Sequence, residues 1–304
     1  MTDLYKSIET LYSNRRNFVV IALTGRTGAG CTTAAEMLTS TTIDKIKLPK
    51  PLLLNDNEER KYRICHDFIK NNWSPFIWIQ IKDIITSFIL ENNFEDFKKY
   101  VSCFLNNGKI RQEDIESVLE NEIKAEYEKL HNIRMQIRQL RKKIEDSEVV
   151  DKAEVKRRRE QSYKFYFDIV PAFTENLKRT LSQLSGETYT TFYQKAGDNI
   201  RSSGNALNEE YDSQNIHRLA IRVNKIIKIF TNRNRHSKEQ VLVVIDAIRN
   251  PFEAVFFRER YSAFYLLSIN TPEKDRIHRF RPRNLSFQIV IVSYRQLCRC
   301  SITI

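Results

Sequence analysis

Residues Phe18–Thr33 read FVVIALTGRTGAGCTT, and this stretch decides how the rest of the chain is interpreted. A short apolar run ends in three closely spaced glycines, Gly25, Gly28 and Gly30, and the helix-forming segment AAEML follows. The order predicts a strand, a glycine-rich loop and a helix. It matches the pattern G-x-x-x-x-G-K-[ST] at every fixed position but one, because Cys31 stands where that pattern has lysine.

The glycine-rich loop is a candidate binding site for phosphate groups. Glycines let the backbone turn tightly and bring its N–H groups close to a phosphate, and the N-terminus of the following helix adds partial positive charge. The candidate cofactor-binding residues are Gly25, Arg26, Thr27, Gly28, Ala29, Gly30, Cys31, Thr32 and Thr33, with the Thr32 hydroxyl placed to ligate Mg²⁺. The alternative is an ordinary strand-to-helix turn with incidental glycines. The missing lysine also allows binding to be retained without catalysis.

Composition restricts the class of protein. The chain has 304 residues, of which 41% are hydrophobic and 29% charged, as in ordinary globular proteins. No apolar run approaches the roughly 20 residues of a membrane span, and the N-terminal segment lacks the apolar core of a signal peptide. Five scattered cysteines favour a reducing, cytoplasmic setting. The net charge of +12 suits phosphate-bearing partners, although charge alone does not favour nucleic acid.

Further strands are predicted at FIWIQI (76–81), VLVVID (241–246) and FYLLSI (264–269), each separated from the others by helical segments. This alternation predicts an α/β fold with a doubly wound, mostly parallel sheet. Asp83 is predicted to cap the N-terminus of a helix over 83–91. The two parts of the α/β core are assigned to residues 1–108 and 165–280.

Residues 109–164 differ in kind from the α/β core and are interpreted as a helical insertion. Ile123, Leu130, Ile137 and Ile144 recur every seven residues, with Ile133 and Leu140 between them. The pattern is typical of a coiled-coil seam, and such a helical hairpin would serve as a dimerisation arm or a lid. One long helix lying on the domain surface explains the same pattern.

Two candidate catalytic residues, Asp246 and Arg249, follow the apolar run at 241–245. In an open α/β sheet, ligands bind at the carboxyl ends of the strands. Asp246 would hold Mg²⁺ or accept a proton there, and Arg249 would clamp a phosphate. The alternatives for Asp246 are a helix cap or an ion pair with Arg249. Asn250 and Pro251 have the residue types of an N-cap and a first helical position.

Four segments together resemble a known arrangement: VVIALTGRTGAGCTT, FIWIQIKDIITSFI, YQKAGDNIR and VLVVIDAIRNPFEAVFFRERYSAFYLLSI. They occur in the order found in deoxynucleoside monophosphate kinase-like P-loop folds. More narrowly, they are similar to the N-terminal kinase-like half of the anti-phage dCTP deaminases. Arg249-Asn250-Pro251, Glu253, Arg258 and Phe264-Tyr265-Leu266 carry the most specific part of the likeness, which covers residues 17–280 apart from 109–164.

The resemblance implies a domain that binds ATP or another NTP or dNTP together with Mg²⁺, with a base or monophosphate near Gln194, Asp198 and Arg201. The zinc deaminase half of that family is not expected here, because its His-x-Glu and Pro-Cys-x-x-Cys signatures are missing from the sequence. A deaminase domain or partner would then be separate. The alternatives are an active nucleotide kinase, and a nucleic-acid-binding or structural protein that uses the helical arm and the basic C-terminal third. Residues 281–304 are expected to be a divergent basic tail or the product of a frameshift or truncation.

Overall fold

The structure of the chain, a computed structural model, describes residues 18–46, 48, 56–105, 110–145, 151–184, 188–233 and 240–280. The chain divides into two units, Met1–Ile79 with Gln240–Ile304, and Gln80–Glu239. The second unit contains the whole segment 109–164 that the sequence marks as an insertion. The expectations for residues 281–304 lie outside the described residues.

In the described residues of the first unit before residue 80, two strands enclose two helices. Its elements there are β1 (Phe18–Thr24), α1 (Cys31–Leu38), a 3-10 turn (Ile43–Lys45), α2 (Asn57–Asn72) and β2 (Ile77–Gln80).

The elements of secondary structure in the described part of the second unit are all helical. Its elements are α3 (Ile81–Ile89), α4 (Phe94–Leu105), α5 (Gln112–Glu122), α6 (Lys124–Glu145), α7 (Lys152–Lys164), a π-helical turn (Phe165–Ile169), α8 (Val170–Leu184), α9 (Thr188–Ser203), a 3-10 turn (Ser213–Asn215) and α10 (Arg218–Arg233).

The chain then returns to the first unit and completes the sheet with β3 (Val241–Asp246), α11 (Pro251–Arg260), β4 (Phe264–Ser268) and α12 (Glu273–Phe280). The four strands form one parallel sheet of order β2-β3-β1-β4. The prediction of an α/β fold with parallel strands is therefore confirmed. The side chain of Asn250 accepts a hydrogen bond from the N–H of Phe252 at 2.9 Å, so the predicted N-cap and the Pro251 helix start are confirmed as well.

Burial of apolar side chains explains why β1 and β3 lie at the centre of the sheet. Both strands are apolar over nearly their whole length, as expected for parallel strands covered on both faces. Leu23 and Val244 are fully buried together with Ala35 of α1. Leu38 and Trp78 pack around this cluster. The first helix is thus held against the two central strands, and the loop before it is held at their carboxyl ends.

An aromatic cluster forms the core of the second unit. The ring of Tyr127 on α6 stacks on Phe97 with centroids 5.0 Å apart and meets Phe94 and Phe173 edge-on. Its hydroxyl donates to the carbonyl oxygen of Ile89 at 2.8 Å, so the buried polar group is satisfied. This core ties α6 to α3, α4 and α8.

The heptad positions in the segment 109–164 pack within the second unit. Ile123, Leu130 and Ile137 are nearly or fully buried within the unit, whereas the side chain of Ile144 lies outside the described residues. This burial agrees with the alternative in which the segment lies on its own domain, although the described part of 109–164 forms three helices, α5, α6 and α7, rather than one long helix. The dimerisation arm stays a prediction.

Replacing Leu130 with alanine tests this packing. Because Leu130 is only 3% exposed, we expect Leu130→Ala to lower the free energy of unfolding by about 2–4 kcal/mol. The loss should be the same at low and high protein concentration, since the contacts are within one chain. Urea denaturation at two concentrations tenfold apart measures it, with the exposed Ile64→Ala as control. A loss seen only at the higher concentration would mean that the seam joins two chains.

Candidate functional site

The loop between β1 and α1 turns through two glycines in the left-handed region of backbone conformation. Gly28 and Gly30 have positive φ angles of 80° and 102°, a region that favours glycine. Gly30 is the N-cap of α1, and no side chain caps the helix. The first-turn N–H groups of α1 therefore have no side-chain acceptor, as expected where a bound anion is to take that place.

Close packing of backbone on backbone explains Gly25. A Cβ atom at this position would lie 2.6 Å from the carbonyl oxygen of Ile269, which is closer than real Cβ contacts allow. The N–H of Ile269 donates to the carbonyl of Thr24 at 2.7 Å, and the Thr271 hydroxyl donates to the carbonyl of Ala29 at 2.6 Å. The chain leaving β4 thus holds the loop from one side.

Asp246 and Thr32 meet at the carboxyl edge of the sheet. The Thr32 hydroxyl donates to Oδ2 of Asp246 at 2.9 Å, although the residues are 214 positions apart. The pairing of β1 with β3 places Asp246 directly opposite Leu23, one residue before the last residue of β1. The structure therefore brings together the hydroxyl and the carboxylate that the sequence singled out separately.

Arg249 lies across the loop from the other side. The N–H of Ile248 donates to the carbonyl of Leu23 at 2.9 Å and fixes the chain just after β3. From there, Nη1 of Arg249 donates to the Thr27 hydroxyl at 3.2 Å. Arg26 is exposed at the loop tip. A guanidinium group is thus placed against the loop that lacks a lysine.

Cys31 behaves as a small apolar residue at this site. It packs against the cluster formed by Leu23, Ala35 and Val244. Burial raises the pKa of the Cys31 thiol and the Asp246 carboxylate raises it further, while Arg249 acts in the opposite direction. The thiol is therefore neutral near pH 7, and Cys31 supplies neither the charge of a lysine nor a reactive thiolate.

The predicted substrate-binding residues lie on α9, in the second unit. Nη1 of Arg201 donates to Oδ1 of Asp198 at 3.2 Å, one helical turn away, and Gln194 is half-buried on the same helix. A Cβ at Gly197 would lie 3.2 Å from Nη1 of Arg201, so the glycine leaves room for that side chain. Asp198 and Arg201 thus form a pair, and their role in binding stays a prediction.

Sequence reasoning missed the environment of Asp83. The residue does not cap a helix, because α3 begins at Ile81 and Asp83 lies in its first turn, 6% exposed. Its Oδ1 has no hydrogen-bond partner among the described residues. Burial raises the pKa of Asp83 to about 6, against the lowering effects of Lys82 and of a hydrogen bond from Thr174. The apolar residues before and after Lys82-Asp83, in FIWIQI and IITSFIL, were the only sequence signal of its burial.

Comparison with protein-family models, with curated proteins and with solved structures finds no match to this chain. Within the described residues, no three His, Cys, Asp or Glu side chains cluster as a metal site would require. None of the helices that the structure describes is long and apolar enough to cross a membrane. The geometry around the glycine loop is therefore the basis on which a function is inferred.

Asp83 makes stability depend on pH. The folded chain holds the Asp83 proton up to about pH 6, whereas the unfolded chain loses it near pH 4. The folded state therefore binds more protons between these values, and the free energy of unfolding falls as pH rises through that window, by about 3 kcal/mol in total. We expect Asp83→Asn to remove this fall and to stabilise the protein at pH 7.

Urea denaturation at pH 4, 5.5 and 7 measures the effect of Asp83→Asn. The matched control is Glu128→Gln, since Glu128 is an exposed acid in the same unit. Superimposable pH profiles for Asp83→Asn and the unmodified chain would contradict the assignment of a buried, proton-holding carboxyl group.

Proposed function

We propose that residues Gly25–Thr33 bind the phosphates of ATP or another NTP or dNTP, together with Mg²⁺. In this proposal the first unit is a P-loop, kinase-like nucleotide-binding domain with a doubly wound sheet. It binds or senses (deoxy)nucleoside phosphates in an anti-phage system of the dCTP deaminase type. The link to anti-phage defence depends on the sequence resemblance alone.

The contact between the Thr32 hydroxyl and the Asp246 carboxylate is the observation that carries the proposal. Mg²⁺ prefers oxygen ligands and is commonly held by one or two protein side chains together with phosphate oxygens. Thr32 and Asp246 offer two such oxygens beside a loop whose glycines open the backbone toward an anion. The residues present therefore fit a magnesium–nucleotide complex, with Thr32 as a ligand and Asp246 as the nearby carboxylate.

Arg249 supplies the positive charge that Cys31 does not. Its guanidinium contacts the Thr27 hydroxyl, so it lies beside the loop without needing a large movement of the chain. Arginine binds phosphate oxygens through two parallel N–H groups, which fixes their orientation as well as their charge. A hydrogen bond to a charged partner contributes about 1.5–3 kcal/mol. Arg249 would therefore contribute substantially to affinity for a triphosphate.

The absence of a lysine at position 31 of the loop favours nucleotide binding without phosphoryl transfer. A loop lysine contacts the β- and γ-phosphates directly, whereas Arg249 comes from the segment after β3, which the N–H of Ile248 holds against β1. An active nucleoside monophosphate kinase is the alternative, with Asp246 and Arg249 as catalytic residues and Gln194, Asp198 and Arg201 on the substrate side. Turnover of ATP with dCMP, dTMP or dGMP would distinguish the two.

Nucleotide binding should appear as thermal stabilisation of the chain. With ATP, GTP or a dNTP at 100 times its dissociation constant and excess Mg²⁺, the folded state gains about 2.7 kcal/mol, which raises Tm by a few degrees. We expect Asp246→Asn to abolish the dependence on Mg²⁺. We expect Arg249→Gln to weaken binding about 10–100-fold, since one charge-assisted hydrogen bond is lost.

Matched controls are exposed residues of the same unit that lie outside the proposed site, Asp44→Asn for the carboxylate and Arg60→Gln for the guanidinium. Both should keep the nucleotide response of the unmodified chain in differential scanning fluorimetry and calorimetric titration. If no NTP or dNTP raises Tm, or if the control variants lose the response equally, the loop does not bind nucleotides in the proposed way.

A further inference from the structure

Two adjacent helices of the second unit have a strong excess of positive over negative charge. α7 and α10 pack against each other and together contain eleven lysines and arginines against two glutamates. The net charge of the whole chain is +12. We propose that the surface formed by these helices, called the α7–α10 face, binds the phosphate backbone of a double-stranded nucleic acid.

Most of these cations are exposed. Those on α7 and α10 that face solvent are Lys152, Lys156, Arg157, Arg159, Lys164, Arg218, Lys225, Lys228 and Arg233. On α7, the spacing of Lys152, Lys156 and Arg159 places them along one side of the helix, because residues three and four apart are neighbours on a helix surface. A row of regularly spaced cations suits a partner whose negative charges also repeat at regular intervals, as those of a phosphate backbone do.

The amphipathic pattern of α10 explains why its cations point outward. Leu219, Val223, Ile226 and Ile227 are buried in the unit, so Arg218, Lys225 and Lys228 lie on the opposite side. No acidic residue occurs anywhere in α10. The outer side of this helix therefore carries cations beside the exposed Ile221, and no acidic residue of α10 offsets their charge.

Arg222 is the exception and is not part of the binding surface. Its guanidinium donates to Oε1 of Glu91 at 2.6 Å and lies 3.8 Å from the centroid of the Phe88 ring. Arg134 contacts the same carboxylate. Burial acts to raise the pKa of Glu91, but the two arginines outweigh it and hold the pKa below its usual range. This buried ion pair has a structural role, which separates it from the exposed cations.

Side-chain contacts between α7 and α10 hold the two helices of the α7–α10 face together. The guanidinium of Arg233 on α10 lies 3.8 Å from the centroid of the Tyr163 ring on α7. Arg233 also forms an ion pair with Glu160 on α7, at 3.7 Å. Glu160, one of the two glutamates of the α7–α10 face, is therefore paired with Arg233 where the two helices meet. The charges on both helices would therefore act together on one partner.

The aromatic residues of these helices argue for a duplex. Proteins that bind single strands stack bases on exposed aromatic rings. Here the rings of Tyr163 and Phe230 pack with Phe167 and are half-buried, with centroids 4.8 and 6.1 Å from it. Within the described helices α7 and α10, Ile221 is the single exposed large hydrophobic residue, which is too little apolar surface to insert into a membrane. The mode of binding that remains is contact with the phosphates, which does not depend on the sequence of the nucleic acid.

The salt dependence of binding tests the proposal. The full-length chain is titrated into fluorescent 24-base-pair DNA and RNA duplexes of the same sequence, at several salt concentrations. Each neutralised phosphate contributes a slope of about −0.9 to log K against log salt. We expect a slope of about −4 or steeper for at least one duplex, which identifies whether DNA or RNA is the source of the phosphates. The variant Lys156→Glu/Lys228→Glu should weaken binding at least tenfold and make the slope shallower by about 2.

The matched control is Lys99→Glu/Lys129→Glu, which makes the same change of charge at exposed positions on α4 and α6. Circular dichroism melting checks that both variants fold. If Lys156→Glu/Lys228→Glu does not fold, Lys156→Gln/Lys228→Gln is measured in its place. Equal loss in the control, a slope shallower than about −2, or equally tight binding of polyglutamate overturns the proposal. So does preferred binding to vesicles that contain phosphatidylserine. Nucleotide binding by the first unit is measured independently, so either proposal can fail alone.

Discussion

The parallel pairing of β1 with β3 is the constraint on which the candidate site depends. It places residues more than 200 positions apart in direct register, with Leu23 opposite Asp246. Both strands then end at the same edge of the sheet, where β1 leads into the glycine loop and β3 into Arg249. A shift of the register by one residue would move Asp246 away from Thr32 and turn its side chain to the other face of the sheet.

The second unit achieves its stability differently, through aromatic and buried ionic contacts between helices. The stacking of Tyr127 on Phe97 fills its centre, and Glu91 joins Arg222 and Arg134. Removing one partner of such a buried ion pair costs about 3–5 kcal/mol, because the other charge is left without compensation. The tightly packed interior leaves the outer sides of α7 and α10 available for a separate interaction.

The sequence predicted the strands and helix around the glycine loop better than it predicted the interior of the second unit. The apolar run before Gly25, the glycine spacing and the strand ending at Asp246 each follow from local patterns, and the structure brings them together. The contact of Arg249 with Thr27 was not predictable, since it depends on how two distant segments meet. Arg222 shows a second limit of prediction from sequence. Its spacing along α10 matches that of the exposed cations, yet its side chain is buried and donates a hydrogen bond to Glu91. Spacing along a helix does not reveal which neighbour supplies the opposite charge.

Anomalous diffraction from crystals grown with Mn²⁺ and a non-hydrolysable nucleoside triphosphate tests the central claim most directly. Manganese prefers the same carboxylate, hydroxyl and water oxygens as magnesium, and its anomalous signal locates it. We expect the metal beside the Thr32 hydroxyl and Asp246, with the phosphates against the backbone N–H groups of Gly28–Thr33. Nucleotide bound elsewhere, or a loop without phosphate at saturating nucleotide, would contradict the account.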